Sequence, residues 1–102
     1  MRKSGVATEQ FLEIVNGHLF KSPVYESYGR MIVEERFEPA GFRLRLGLKD
    51  VRLVLASAEQ AMVPMPVASV TRDRFVSAVA KGRGELDWSA LAKHIAEDAG
   101  LN

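Results

Sequence analysis

The sequence runs to 102 residues, enough for one domain, and its 47 % hydrophobic and 26 % charged content is that of an ordinary globular fold. A net charge of +1 speaks against nucleic acid or an anionic membrane as partner, and the absence of cysteine excludes a disulfide scaffold or a thiolate metal site. No run approaches the ~18 apolar residues of a membrane helix, and MRKSGVATEQ has no apolar signal-peptide core, so a cytoplasmic location is expected.

Met1 to Gly5 reads as the end of a helix: Arg2 and Lys3 suit a C-terminal turn, and Gly5 the left-handed residue beyond it. The expectation is that the chain continues a longer helix. Thr8 is the expected N-cap of a helix with Phe11, Leu12 and Val15 on one face and a stop at Gly17. Ser22-Pro23 is a second start signal, with a capping serine and a proline at the first helical position. That helix carries Val24, Tyr28, Met31 and Ile32 on one face and is expected to reach about Arg36.

Arg43 to Met62 reads as the central helix. At about 100° per residue, Leu44, Leu48, Val51, Leu55, Ala58 and Met62 share one narrow stripe, and Leu46 and Leu53 lie on the opposite side. Two apolar stripes imply cover on both sides, from the domain or from a partner. Arg45, Lys49 and Arg52 form a basic ridge between the stripes. It reads either as a solvated flank or as a flank from which Lys49 reaches a ligand.

Val63-Pro64-Met65-Pro66 cannot be helical, and Pro66 opens a fourth helix that stops at Gly82. Gly82-Arg83-Gly84 reads as a mobile connector. Asp87 is the expected cap of the last helix, whose stripe is Trp88, Leu91, Ala92, Ile95 and Ala99. His94 lies off that stripe and is expected in solvent. His18 and His94 have no metal-ligand spacing, so no metal is expected. The sum is an all-α fold, a single helical domain of about five helices around a central helix 43–62.

Motifs for independent chemistry are missing. There is no strand-borne GxGxxG, no P-loop, no GxSxG and no HExxH. Glu34-Glu35 and Glu97-Asp98 are adjacent on helices and do not face one another, which speaks against an acid/base dyad. On these grounds no residue is assigned a catalytic role.

Order and spacing carry more. KSGVATEQFLEIVNG, SPVYESYGRMI, FRLRLGLKD, VPMPVAS and GRGELDWSAL follow one another as in the C-terminal all-helical domain of the β-hydroxyacid dehydrogenases. That is the group of 3-hydroxyisobutyrate dehydrogenase, also described as 6-phosphogluconate dehydrogenase-like. FRLRLGLKD is similar to the family's F-x-x-x-L-x-x-K-D, with Phe42, Leu46, Lys49 and Asp50 in place. The ending resembles G-x-G-[DE]-x-D-x-S-A-L. The resemblance spans residues 1–102 as one helical domain that begins at the end of an interdomain helix.

The resemblance implies an oxidoreductase that uses NAD or NADP on a small β-hydroxyacid or semialdehyde, with this domain closing the active site and forming a homodimer. It implies an N-terminal Rossmann domain as partner. The family's catalytic G-x-x-x-K-x-x-N has no counterpart here, so this chain alone is expected to be inactive and to bind no cofactor tightly. Lys49 matches the lysine that reaches the cofactor, Phe42 is expected to help wall the nicotinamide pocket, and Asp50 is expected to be structural. Dimer contacts are expected from Leu46, Leu53, Tyr25, Tyr28 and Ile32. The alternative is a free-standing helical interaction module; it gives no reason for a lone lysine between two apolar stripes.

Overall fold

Prolines open two of the helices, and a serine side chain caps one of them. The computed structural model describes residues 1–101. It contains α1 (Thr8–Gly17), α2 (Pro23–Val33), α3 (Leu44–Gln60), α4 (Pro66–Ala80) and α5 (Leu91–Asp98), with 3₁₀ turns at Arg2–Ser4 and Trp88–Ala90. The fold is all-α, with no strand among the described residues. Ser22 Oγ accepts the Tyr25 amide at 3.0 Å, and Pro23 and Pro66 begin α2 and α4. Gly82 ends the α4 turn at φ 81°, a conformation that costs a side-chain-bearing residue energy.

The boundaries of the first two helices differ from expectation. Extended Ala7, not Thr8, is the N-cap of α1; the Thr8 hydroxyl donates to Glu9 instead. α2 stops at Val33, short of Arg36. Glu35 turns left-handed at φ 51°, and the Arg36 amide donates to the Met31 carbonyl, which carries Phe37 into the core.

α3 and α4 are the main packed pair. Leu44, Leu48, Phe75 and Ala78 are buried between them, with Phe37 and Ala90 closing the cluster. Gly47 allows the close approach: a Cβ there would stand 2.6 Å from Phe75 Cε1. The main stripe of α3 thus faces the core as far as Ala58. Met62 has left the helix, at φ 58°, and is exposed. The second stripe is not covered within the chain: Leu46 is half-buried and Leu53 is exposed. α4 and its neighbours supply cover on one side of α3 only.

α1 and α2 form a hairpin in which neither helix has a fully buried residue. Phe11, Ile14, Val24, Tyr25 and Ile32 are exposed. The total accessible surface is 7254 Å². A self-contained monomer of this mass would expose about 5,700 Å². The radius of gyration, 15.1 Å, likewise exceeds the ~13 Å of a compact domain this long.

The last third of the chain corrects two expectations. Gly82-Arg83-Gly84 is pinned, not mobile. Arg83 places Nη2 2.6 Å and Nη1 3.0 Å from the Glu97 carboxylate, and its Nη1 also meets His94 Nδ1. His94 is correspondingly buried, at 2 % exposure, not solvated. Arg83 can only donate, so His94 Nδ1 accepts and the ring proton sits on Nε2, a buried atom with no partner among the described residues. The Arg83 hydrogen bond holds the Glu97 carboxyl below its usual range against the opposing effect of burial, with the Arg83 and Lys81 charges helping.

Candidate functional site

The N-terminal end of α3 is assembled by the loop that precedes α5. The first amides of a helix have no partner within it. Here Leu44 N–H donates to the Leu86 carbonyl at 2.8 Å and Arg45 N–H to the Gly84 carbonyl at 3.0 Å. These helix-end donors are therefore satisfied by the fold and offer no anion cradle. Glu85, on the same loop, reaches Arg43 Nε at 3.1 Å and Arg45 Nε at 2.5 Å. The basic ridge thus divides: Arg45 is paired, whereas Lys49 has an ion contact only with its neighbour Asp50, at 3.8 Å, among the described residues. Both of those side chains are well exposed, at 63 % and 57 %.

Phe42 precedes α3 and is half-buried. Its ring lies beside Gly47 and stands edge-on to Trp88, with centroids 5.9 Å apart. Trp88 in turn meets Tyr28 edge-on at 5.5 Å, so three aromatics join α2, the start of α3 and the second 3₁₀ turn. Edge-to-face pairs of this kind add about 0.5–1.5 kcal/mol beyond burial.

Asp87 fixes this arrangement and is 1 % exposed. Its Oδ2 accepts the Gly41 and Phe42 amides, each at 3.1 Å, and its Oδ1 accepts the Ser89 amide at 2.9 Å and the Ser89 hydroxyl at 2.6 Å. Burial alone pushes the carboxyl up. The hydrogen bonds from the Ser89 hydroxyl and amide and from the Phe42 and Gly41 amides together outweigh it, and the group sits below its usual range. Asp87 is therefore a cap, as expected, but of the 3₁₀ turn Trp88–Ala90 that leads into α5. Asp-x-Ser signalled the local half of this network. Nothing local signalled the amides 46 and 45 residues away, nor the pairing of Glu85 with the ridge.

Lys49 and Phe42 lie at the same end of α3, but no hydrogen bond or ring contact joins them. Lys49 is two positions beyond Gly47, about 200° round the helix, so the two side chains flank the first turns of α3 from different sides. Lys49 thus places an exposed ammonium on one flank of α3, and Phe42 an apolar ring on the other.

Comparison with known proteins agrees with this reading of the fold. Residues 1–95 match the family described as NAD-binding of NADP-dependent 3-hydroxyisobutyrate dehydrogenase. An uncharacterized oxidoreductase, YfjR, of Bacillus subtilis (strain 168) is 48 % identical over 95 residues, covering 93 % of this chain and 33 % of the relative. Glyoxylate/succinic semialdehyde reductase 1 of Arabidopsis thaliana is 32 % identical over 93 residues, 91 % of this chain and 32 % of its own. The crystal structure of a 3-hydroxyisobutyrate dehydrogenase from Salmonella typhimurium superposes with a TM-score of 0.81 at 25 % identity, over 90 % of this chain and 32 % of that one. The chain thus spans about a third of the length of these relatives.

Proposed function

The chain belongs to the NAD-binding family of NADP-dependent 3-hydroxyisobutyrate dehydrogenase, and we propose that it is the helical domain that completes the cofactor site of such an oxidoreductase. In this reading residues 1–102 work with a Rossmann domain that binds NAD or NADP, in the cytoplasm, on a small β-hydroxyacid or semialdehyde. The dinucleotide, when bound, supplies hydride transfer. Lys49 donates a charge-assisted hydrogen bond to it, and Phe42 offers an apolar wall to the nicotinamide end.

The state of Lys49 carries this reading. Glu85 ties down the arginines one and two turns before it, while the Lys49 side chain stays 63 % exposed beside a loosely placed Asp50. The place of Lys49 in F-x-x-x-L-x-x-K-D separates it from Arg52, which shares the exposed flank. The family's G-x-x-x-K-x-x-N has no counterpart in residues 1–102, so in this reading the general acid and base come from the rest of the enzyme.

The reading includes a homodimer. The surface surplus of about 1,500 Å² over a self-contained monomer exceeds the ~800 Å² that each partner contributes to a standard interface. That leaves room for both a second copy and a neighbouring domain. Leu53, Tyr25 and Ile32 are exposed and fit an interface. Tyr28 and Leu46 are half-buried and fit it less well.

Turnover assays test the proposal. The purified 102-residue chain should reduce neither NAD nor NADP with 3-hydroxyisobutyrate. The same chain joined to the dinucleotide-binding domain of a relative should do so. Turnover by the chain alone, or none by the joined protein when it is folded, would overturn it.

A further inference from the structure

We propose that Asp87 is a positioning residue for Phe42: its buried carboxylate holds the backbone at Gly41 and Phe42 so that the Phe42 ring is set against Trp88 at the cofactor end of α3. The inference rests on the reading that Phe42 walls the dinucleotide.

The Phe42 peptide is held from both ends. Its amide donates to Asp87 Oδ2 at 3.1 Å, and its carbonyl accepts the Trp88 amide at 2.8 Å. Asp87 is anchored in turn, because its own amide donates to the Phe37 carbonyl at 3.0 Å and Oδ1 is held by Ser89. A carboxylate is the only side chain of this size that accepts on both oxygens. An asparagine could keep one oxygen on its donors but would turn an NH₂ toward the others. Two outcomes are possible for it: NH₂ faces the Gly41 and Phe42 amides, or it faces Ser89. In the first the loop is repelled; in the second the anchor is lost. Either way the Phe42 peptide loses its hold on the amide side and keeps only the Trp88 bond to its carbonyl, while the α3–α4 packing through Leu44, Leu48 and Phe75 does not involve the carboxylate. Asp87 is thus the side chain that fixes the amide side of this segment, and the Trp88 amide fixes its carbonyl side.

Two measurements test this. In the full chain, the sole tryptophan, Trp88, reports on the Phe42 ring. Asp87→Asn should weaken the ring-to-ring nuclear Overhauser effects between Phe42 and Trp88 and move the Gly41 and Phe42 amide protons upfield. Contacts between Phe75 and the Gly47 α-protons should persist. Ser89→Ala, which removes one donor only, should give the same pattern more weakly, and it serves where Asp87→Asn fails to fold. Unchanged Phe42–Trp88 effects in a folded variant would overturn the proposal.

In the chain joined to a dinucleotide-binding domain, Asp87→Asn should raise the KM for NADPH roughly 2- to 10-fold, the worth of one net hydrogen bond, with less effect on kcat. The double variant with Phe42→Ala should be no worse than Phe42→Ala alone, because Asp87 acts through Phe42. Additive losses would show that Asp87 is merely structural. No effect of Phe42→Ala, with the Phe42–Trp88 signature still lost in Asp87→Asn, would overturn the cofactor role while leaving the clamp itself established.

Discussion

The Phe75 ring fills the space in which a side chain at Gly47 would begin, so that a Cβ there would lie 2.6 Å and 2.9 Å from two ring carbons. Phe75 is 2 % exposed and packs in the core with Leu44, Leu48 and Ala78. Gly47→Ala gains up to about 1 kcal/mol of helix propensity, but overpacking costs about 1–3 kcal/mol and here should win. The expected net loss is about 1–2 kcal/mol by denaturant titration. Gly17→Ala, which meets nothing within 4 Å, is the control and should be neutral or stabilising.

Asp87 makes stability depend on pH. Its folded-state pKa lies below the ordinary range of an aspartate, because the Ser89, Phe42 and Gly41 hydrogen bonds outweigh burial. The unfolded chain therefore takes up the proton first as pH falls. The contribution is fully present above about pH 5, and it is lost as pH drops through 4 toward the folded-state value. Glu97, also lowered, acts in the same direction. Thermal melts from pH 7 to pH 2.5 should show a falling Tm below pH 4, with a shallower fall in Asp87→Asn. At pH 7, Asp87→Ala should cost about 3 kcal/mol, because buried amide donors are left unpaired.

Arg83 should be shielded from trypsin by its contacts with Glu97 and His94. Its side chain is 17 % exposed against 60 % for Arg36. Limited digestion should cut after Arg36 first. Glu97→Gln should speed cleavage after Arg83. Early cleavage after Arg83 in the unaltered chain would restore the mobile connector expected from its two glycines.

What could be read from the sequence follows the range of the forces involved. Ser22-Pro23 and Pro66 act through bonds to near neighbours, so the starts of α2 and α4 were legible. The Leu44–Ala58 stripe has a helical period, so α3 was legible to within two residues at either end. His94 was not, because its burial depends on Arg83 from a loop before the helix. The end of α2 was misjudged because Phe37 is drawn into a core built from α3 and α4. At the candidate site, Phe42 and Lys49 stood out only through a resemblance to a known pattern. Asp87 was legible as a local cap, but its bonds to the Gly41 and Phe42 amides and the pairing of Glu85 with Arg43 and Arg45 join residues about forty apart and leave no local trace.

Sedimentation equilibrium at micromolar concentration should find this chain larger than the 11.3 kDa monomer. The expectation follows from apolar surface such as Leu53, Tyr25 and Ile32, more than soluble monomers usually leave open. Leu53→Lys should shift the equilibrium toward monomer. A clean monomer at all concentrations would mean that these faces are covered by a neighbouring domain alone.

The central claim is that Lys49 reaches the cofactor, and NADPH affinity tests it most directly. In the chain joined to a dinucleotide-binding domain, Lys49→Ala should weaken NADPH binding roughly 10- to 150-fold, the worth of a charge-assisted hydrogen bond of about 1.5–3 kcal/mol. Arg52→Ala, which removes another cation from the same flank of α3, should change it little. Equal, small effects of the two substitutions in folded protein would contradict the account and return Lys49 to the status of a solvated surface residue.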